Sequence, residues 1–315
     1  MATRYPILYR SIQLIAIIFA VVGYLFPALL IRWELILAMV LIALIGIPHG
    51  ATDHIIFRNL TRPFLGTRQM IYFYSYYLLL IGAYAALWWF FPILSFALFL
   101  VLSAYHFGQS NWNFVQFASK FGAGIYYLLW GGFVIIAPVL LHYDSTLPII
   151  QEIVRQAPPL IEPMVRWGIV GTVLGMNILM TLLLRWQQKL SARQLTEELI
   201  SLLVLSLVFY FTPVLLGFAI YFVCWHSMSS VMDQIQFFQE RKRDYSLKKY
   251  LGDTLPFTLL ALIGLAALFW AQQQFLGTMQ VGLLFIFISI VTLPHMILID
   301  RLYGEAEKNK KMLNA

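Results

Sequence analysis

Four histidines sit in short motifs of apolar and small residues, where an ionisable side chain is costly. They are His49 in Gly46-Ile47-Pro48-His49-Gly50-Ala51-Thr52-Asp53-His54 and His106 in Ala104-Tyr105-His106-Phe107-Gly108-Gln109. The other two are His226 in Cys224-Trp225-His226-Ser227 and His295 in Thr292-Leu293-Pro294-His295. Neutral imidazoles drawn from separate segments can ligate iron, copper, zinc or nickel, so ligand type alone does not choose the metal. A lone histidine in an apolar helix is also a common hydrogen-bond donor between helices, and that reading stands beside the metal one. On a helix, His49 and Asp53 lie about 40° apart around the axis, whereas His54 lies about 140° away. Asp53 is therefore placed to accept a ligand histidine's second N–H and fix its tautomer, or to pair with Arg58. Gln109, and Asp233 seven residues after His226, are weaker candidates for the same supporting role. His142, beside Tyr143 and Asp144, reads as a solvated surface histidine, and Cys224 reads as a packing residue.

The elements that must position these side chains are membrane helices. Apolar residues make up 61% of the 315 and charged residues 11%, against roughly 25% charged in an ordinary soluble domain. Apolar stretches occur near 11–31, 33–49, 70–91, 93–112, 122–142, 166–184, 198–212, 214–236, 255–273 and 278–299. Most approach the ~20 residues that cross ~30 Å of hydrocarbon. Pro213 divides the overlong 198–236 stretch in two. The expected fold is thus all-α: one polytopic transmembrane bundle of about ten spans over 1–315. Residues 143–165 form a loop with a short interfacial helix, and 303–315 a polar, frayed tail.

Lysine and arginine fix the expected orientation. Eighteen of the 21, among them Arg4, Arg62, Lys242 and Arg243, fall on the side that holds both termini; only Arg32, Arg155 and Arg166 fall opposite. By the positive-inside rule both termini are cytoplasmic. The spans carrying His49, His106, His226 and His295 all then run inward, which places these histidines in the cytoplasmic half of the membrane, with His54 at its edge. The net charge of +7 is accounted for by topology and not by a nucleic-acid groove. The first span is too long for a cleavable signal, and strand alternation is absent, which excludes a β-barrel. A transporter is disfavoured by the lack of an internal repeat. A di-iron desaturase requires clustered histidines, and these six are mostly isolated.

The motifs, in order, resemble those of the Brp/Blh family of membrane β-carotene 15,15′-dioxygenases. The run from Gly46 to His54 is the distinctive one; Tyr105-His106-Phe107-Gly108, Trp225-His226-Ser227 and Leu293-Pro294-His295 match shorter motifs. The resemblance covers nearly the whole chain. It implies an Fe(II) enzyme of a bacterial cytoplasmic membrane that cleaves β-carotene at its central double bond with O2, giving two molecules of retinal. It also implies that His49, His106 and His226 are ligands and catalytic residues. Family members often carry a second histidine four residues after the one following Trp, and here that position is Ser230. The set is then completed by His295 or His54, by three histidines with water or a carboxylate, or the cleavage activity is changed or lost.

A membrane-embedded site can receive a carotenoid laterally from the bilayer. Tyr105, Phe107, Phe222 and Trp225, with Trp112 and Phe114, are candidates to line an apolar tunnel, although aromatics are 16% of the chain and most serve packing. A non-cleaving carotenoid or retinoid binder is the second reading. Nothing in the sequence names an opsin to receive retinal.

Overall fold

The structure, a computed structural model, describes residues 6–60, 68–241, 244–276 and 280–313. Of the basic residues that set the expected topology, Arg4, Arg62, Lys242 and Arg243 fall outside that range. Among the described residues, ten helices are long and apolar enough to cross a membrane, and no strand occurs. The chain is an integral membrane protein of all-α architecture.

Prolines set many of the boundaries. α1 (Pro6–Leu25), α2 (Pro27–Leu41), α6 (Pro92–Trp112) and α9 (Pro163–Trp186) each open on one. Proline's missing N–H costs nothing in a first turn, where no intrahelical acceptor exists. The other long helices are α5 (Arg68–Phe90), α7 (Lys120–Leu141), α10 (Ala192–Phe211), α13 (Leu247–Leu276) and α14 (Val281–Leu313). Shorter ones are α3 (Ile47–Gly50), α4 (Asp53–Leu60), α8 (Tyr143–Val154), α11 (Val214–Tyr221) and α12 (Met228–Arg241). α14 continues to Leu313, through the polar segment that the sequence reads as a tail. The short helix expected within 143–165 is α8.

Among the described residues, two spans contain a π-helical turn, at Ile42–Gly46 between α2 and α3 and at Phe222–Ser227 between α11 and α12. Such turns widen the helix by one residue and are frequent at functional sites.

Two compact units make up the chain. The first comprises 1–46, 104–147 and 159–245. In it α7 packs on α9, α10 on α1, and α11 on α2, and the two π turns touch one another. Its core gathers Phe133, Val134, Leu205, Val208, Phe209 and Leu216. α6 and α7 cross without side chains between them: a Cβ on Gly131 would lie 1.8 Å from the Ala104 carbonyl oxygen, and one on Gly108 1.9 Å from that of Tyr127. Small residues at such crossings let helices approach closely, since no hydrophobic effect drives them together in lipid. The start of α11 is satisfied by Glu34 of α2, whose Oε1 accepts the Leu215 N–H at 2.7 Å.

The second unit comprises 47–103, 148–158 and 246–315. There α14 packs on α5 and α4, and α3 packs on α13. Tyr84, Trp88, Ile153 and Val154 form its core, with Phe285 against them.

The span read from the sequence as 198–212 begins earlier, at Ala192. Ser191 and Gln194 form a capping box there: the Ser191 hydroxyl accepts the Gln194 N–H, and Gln194 Oε1 accepts the Ser191 N–H. That reciprocal cap starts a helix well before the apolar run, and places Glu198 inside the span, not at its edge.

Candidate metal-binding histidines

Each unit holds one pair of buried imidazoles. In the first, His106 of α6 and His226 of the second π turn meet edge to face, with ring centroids 4.8 Å apart. Phe107 packs on His226 at 4.9 Å and Phe222 stacks on it at 5.4 Å. In the second, His49 of α3 and His295 of α14 meet edge to face at 5.1 Å. All four histidines are 5% exposed or less, in surroundings where an imidazolium would lose its hydration. Among the described residues, no three His, Cys, Asp or Glu side chains gather into a metal-sized cluster.

The local backbone at each pair is irregular. His49 lies between a π turn and a break at Ala51 and Thr52, where the helix ends and α4 begins. The shared helical face expected for His49 and Asp53 is therefore not continuous. Asp53 opens α4, where the N-terminal dipole favours its negative charge. Its Oδ1 accepts from His295 Nδ1 at 2.8 Å and its Oδ2 from the Tyr77 hydroxyl at 2.9 Å. His295 follows Pro294, which has no N–H to offer the preceding turn.

His54 turns to α13 and lies against Phe257, with centroids 4.3 Å apart. Gln109 is buried on α6. Asp233 accepts a hydrogen bond from Asn113 at 2.5 Å. Tyr105 packs edge to face with Tyr127 of α7. Trp225 donates from Nε1 to Ser201 Oγ at 3.3 Å, and Ser201 also bonds the Tyr9 hydroxyl. That network ties the second π turn to α1 and α10. His142 is not solvated as the sequence implies: it is half-buried, and its Nε2–H donates to the Phe209 carbonyl at 2.8 Å, near the end of α10 where carbonyls lack helical partners.

Beside His226, within the first unit, lies a cavity of about 40 Å³ walled by Tyr9, Ser110, Asn111, Glu197, Glu198 and Trp225. It has room for roughly two or three waters and none for a long polyene. Asn111 donates to Glu198 Oε2 at 3.2 Å. Sequence reasoning missed this polar pocket. An acid inside a span was the available signal, obscured because the span was started at Glu198 itself.

A family model described as "Beta-carotene 15,15'-dioxygenase" matches residues 40–303. The chain belongs to that family. The match takes in all four histidine motifs. A "Beta-carotene 15,15'-dioxygenase" of an uncultured marine bacterium, 66A03, is 25% identical over 301 residues, 91% of this chain and 99% of the relative. A "Probable beta-carotene 15,15'-dioxygenase Blh" of Halobacterium salinarum is 23% identical over 288 residues, 82% of each chain. No solved structure matches. Ser230 is buried and accepts a hydrogen bond from Gln234 Nε2 at 3.1 Å.

Proposed function

We propose that this chain is a non-haem iron oxygenase that cleaves β-carotene, or a related carotenoid, at the central 15,15′ double bond with O2 to give retinal. The observation that carries the reading is the pairing of His106 with His226 and of His49 with His295, all four deeply buried in membrane-spanning helices. Family membership supports it, as do the names of the two relatives. Both termini lie in the cytoplasm of a bacterial cell in this reading, following the distribution of lysine and arginine.

The donor set fits the metal. Four neutral imidazoles are ligands that iron accepts, and the proposed ligands are His49, His106, His226 and His295. His295 commits Nδ1 to Asp53, which directs its lone pair to Nε2, the arrangement that supporting carboxylates impose on ligating histidines. His54, stacked on Phe257, is the weaker candidate. Iron bound by these imidazoles would supply the redox chemistry that opens O2 to reaction with an alkene. The balance is simple: one C=C bond and one O2 become two aldehydes, so no proton is gained or lost. The chain needs no acid or base at the reacting carbons. Its contribution is to hold the imidazoles, exclude bulk water and present apolar walls, of which Phe107 and Phe222 against His226 are the local part.

The test is expression in a membrane that accumulates β-carotene, with chromatography of the extracted pigment and metal analysis of the purified protein. Retinal is expected from the wild type, lost in His49→Ala, His106→Ala, His226→Ala and His295→Ala, and kept in His142→Ala. Intact β-carotene from folded, iron-loaded protein would overturn cleavage of this substrate. Ser230 favours one second reading, a non-cleaving carotenoid or retinoid binder, which would co-purify with unbroken pigment.

A further inference from the structure

We infer that Tyr77 is a positioning residue for His295, acting through Asp53. The inference rests on the reading of His295 as a metal ligand. Three elements of one unit converge here: α5 brings Tyr77, the first turn of α4 brings Asp53, and α14 brings His295. Asp53 is 4% exposed, and its two oxygens are divided between two donors, Tyr77 on Oδ2 at 2.9 Å and His295 Nδ1 on Oδ1 at 2.8 Å.

A carboxylate held by one donor can rotate about its Cβ–Cγ bond and exchange oxygens. The Tyr77 phenol removes that freedom by holding Oδ2. Oδ1 then points to His295 with a fixed lone pair, and the imidazole keeps its proton on Nδ1 and its lone pair on Nε2. Charge-assisted hydrogen bonds such as these are stronger than neutral ones and gain further in a low-dielectric site. The backbone leaves room for the ring beside the break after His49: a Cβ added at Gly50 would meet His295 Nδ1 at 3.7 Å, an ordinary contact. Tyr77 lies 24 residues from Asp53 in sequence, so no local spacing announces the relay.

The experiment compares wild type, Tyr77→Phe, Asp53→Leu and, as a control, Tyr72→Phe, whose ring is 60% exposed. Protein with 15N-labelled histidine is studied without metal by solid-state NMR, the His295 signals being assigned by their loss in His295→Gln. Co(II) is then titrated as a probe of the metal site. The wild type should show the Nδ1–H tautomer at His295. Tyr77→Phe should shift part of the population to Nε2–H and weaken Co(II) binding about tenfold, the lower range for loss of a supporting partner, with Asp53→Leu larger. Tyr72→Phe should match the wild type. A Tyr77→Phe protein with wild-type tautomer and wild-type Co(II) affinity overturns the inference, as does one that only unfolds more readily. If the wild type binds no Co(II) or Fe(II) while Tyr77→Phe still changes the tautomer, the relay stands and the iron reading falls.

Discussion

Gly131→Ala is the substitution that most directly tests how His106 is placed. Its Cβ would come 1.8 Å from the Ala104 carbonyl oxygen and 2.4 Å from the carbonyl carbon. Ordinary contact begins near 3.4 Å, so α6 and α7 must part by roughly 1.6 Å, and what must move is main chain, not the tip of a side chain. Overpacking of this kind costs about 1–3 kcal/mol, and the upper end applies because a helix backbone cannot rotate aside. Contacts between a glycine Cα–H and a carbonyl, worth about 0.5–1 kcal/mol each, are lost as well. His106 lies two residues beyond Ala104, so a shift of this size also carries its imidazole away from His226. Thermal unfolding in detergent, followed by tryptophan fluorescence, should show a midpoint lower by several degrees. The yield of cleaved pigment should fall at least tenfold at temperatures where the protein remains folded, since misplacement by about 1 Å costs around a hundredfold. Gly82→Ala is the control, because nothing lies within 4 Å of a Cβ there. Wild-type stability and yield in Gly131→Ala would refute the close crossing and the placement of His106 that depends on it.

Glu34→Ala should destabilise the first unit by about 1–2 kcal/mol, measured as a lower unfolding midpoint, because the Leu215 N–H at the start of α11 loses its carboxylate. His142→Gln should leave metal content unchanged and cost about 1 kcal/mol or less, as glutamine can still donate to the Phe209 carbonyl. Asp144 at the start of α8 has its carboxyl held below the usual 3.8, first by the hydrogen bond from Arg166. Its folded value lies under its unfolded one, so the pair's contribution is complete above 3.8 and is lost as pH falls through the depressed value. Asp144 is largely exposed and water screens the pair, so Asp144→Asn should lower the unfolding midpoint only slightly from about pH 5 to 8, and that difference should vanish as pH falls through the depressed value.

The spans were legible because lipid demands long apolar runs, and prolines at 6, 27, 92 and 163 mark where several begin. Their ends were less so. The Ser191 and Gln194 cap lies in a polar stretch with no hydropathy signal, and α4 extends the second span through His54 and Arg58 although its residues are half polar. The histidines were picked out by type and setting, but their division into His106 with His226 and His49 with His295 follows from tertiary packing. Asp53 was found from its spacing to His49, a rule that assumes an unbroken helix; the break at Ala51 redirects it to His295, 242 residues away. Tyr77 and Ser201 are ordinary span residues until the fold brings their partners.

The π turns at Ile42–Gly46 and Phe222–Ser227 make the rotational phase of two spans adjustable. A single extra residue has been absorbed in each as a local widening, and everything downstream is turned by about 100° relative to an uninterrupted α-helix. Deleting one residue from 42–45 would let the helix close to regular α geometry and leave His49 on its present face, whereas a deletion elsewhere in the span would turn it by about 100°. The turns therefore act as slack: a one-residue loss is taken up locally and the imidazoles beyond keep their direction.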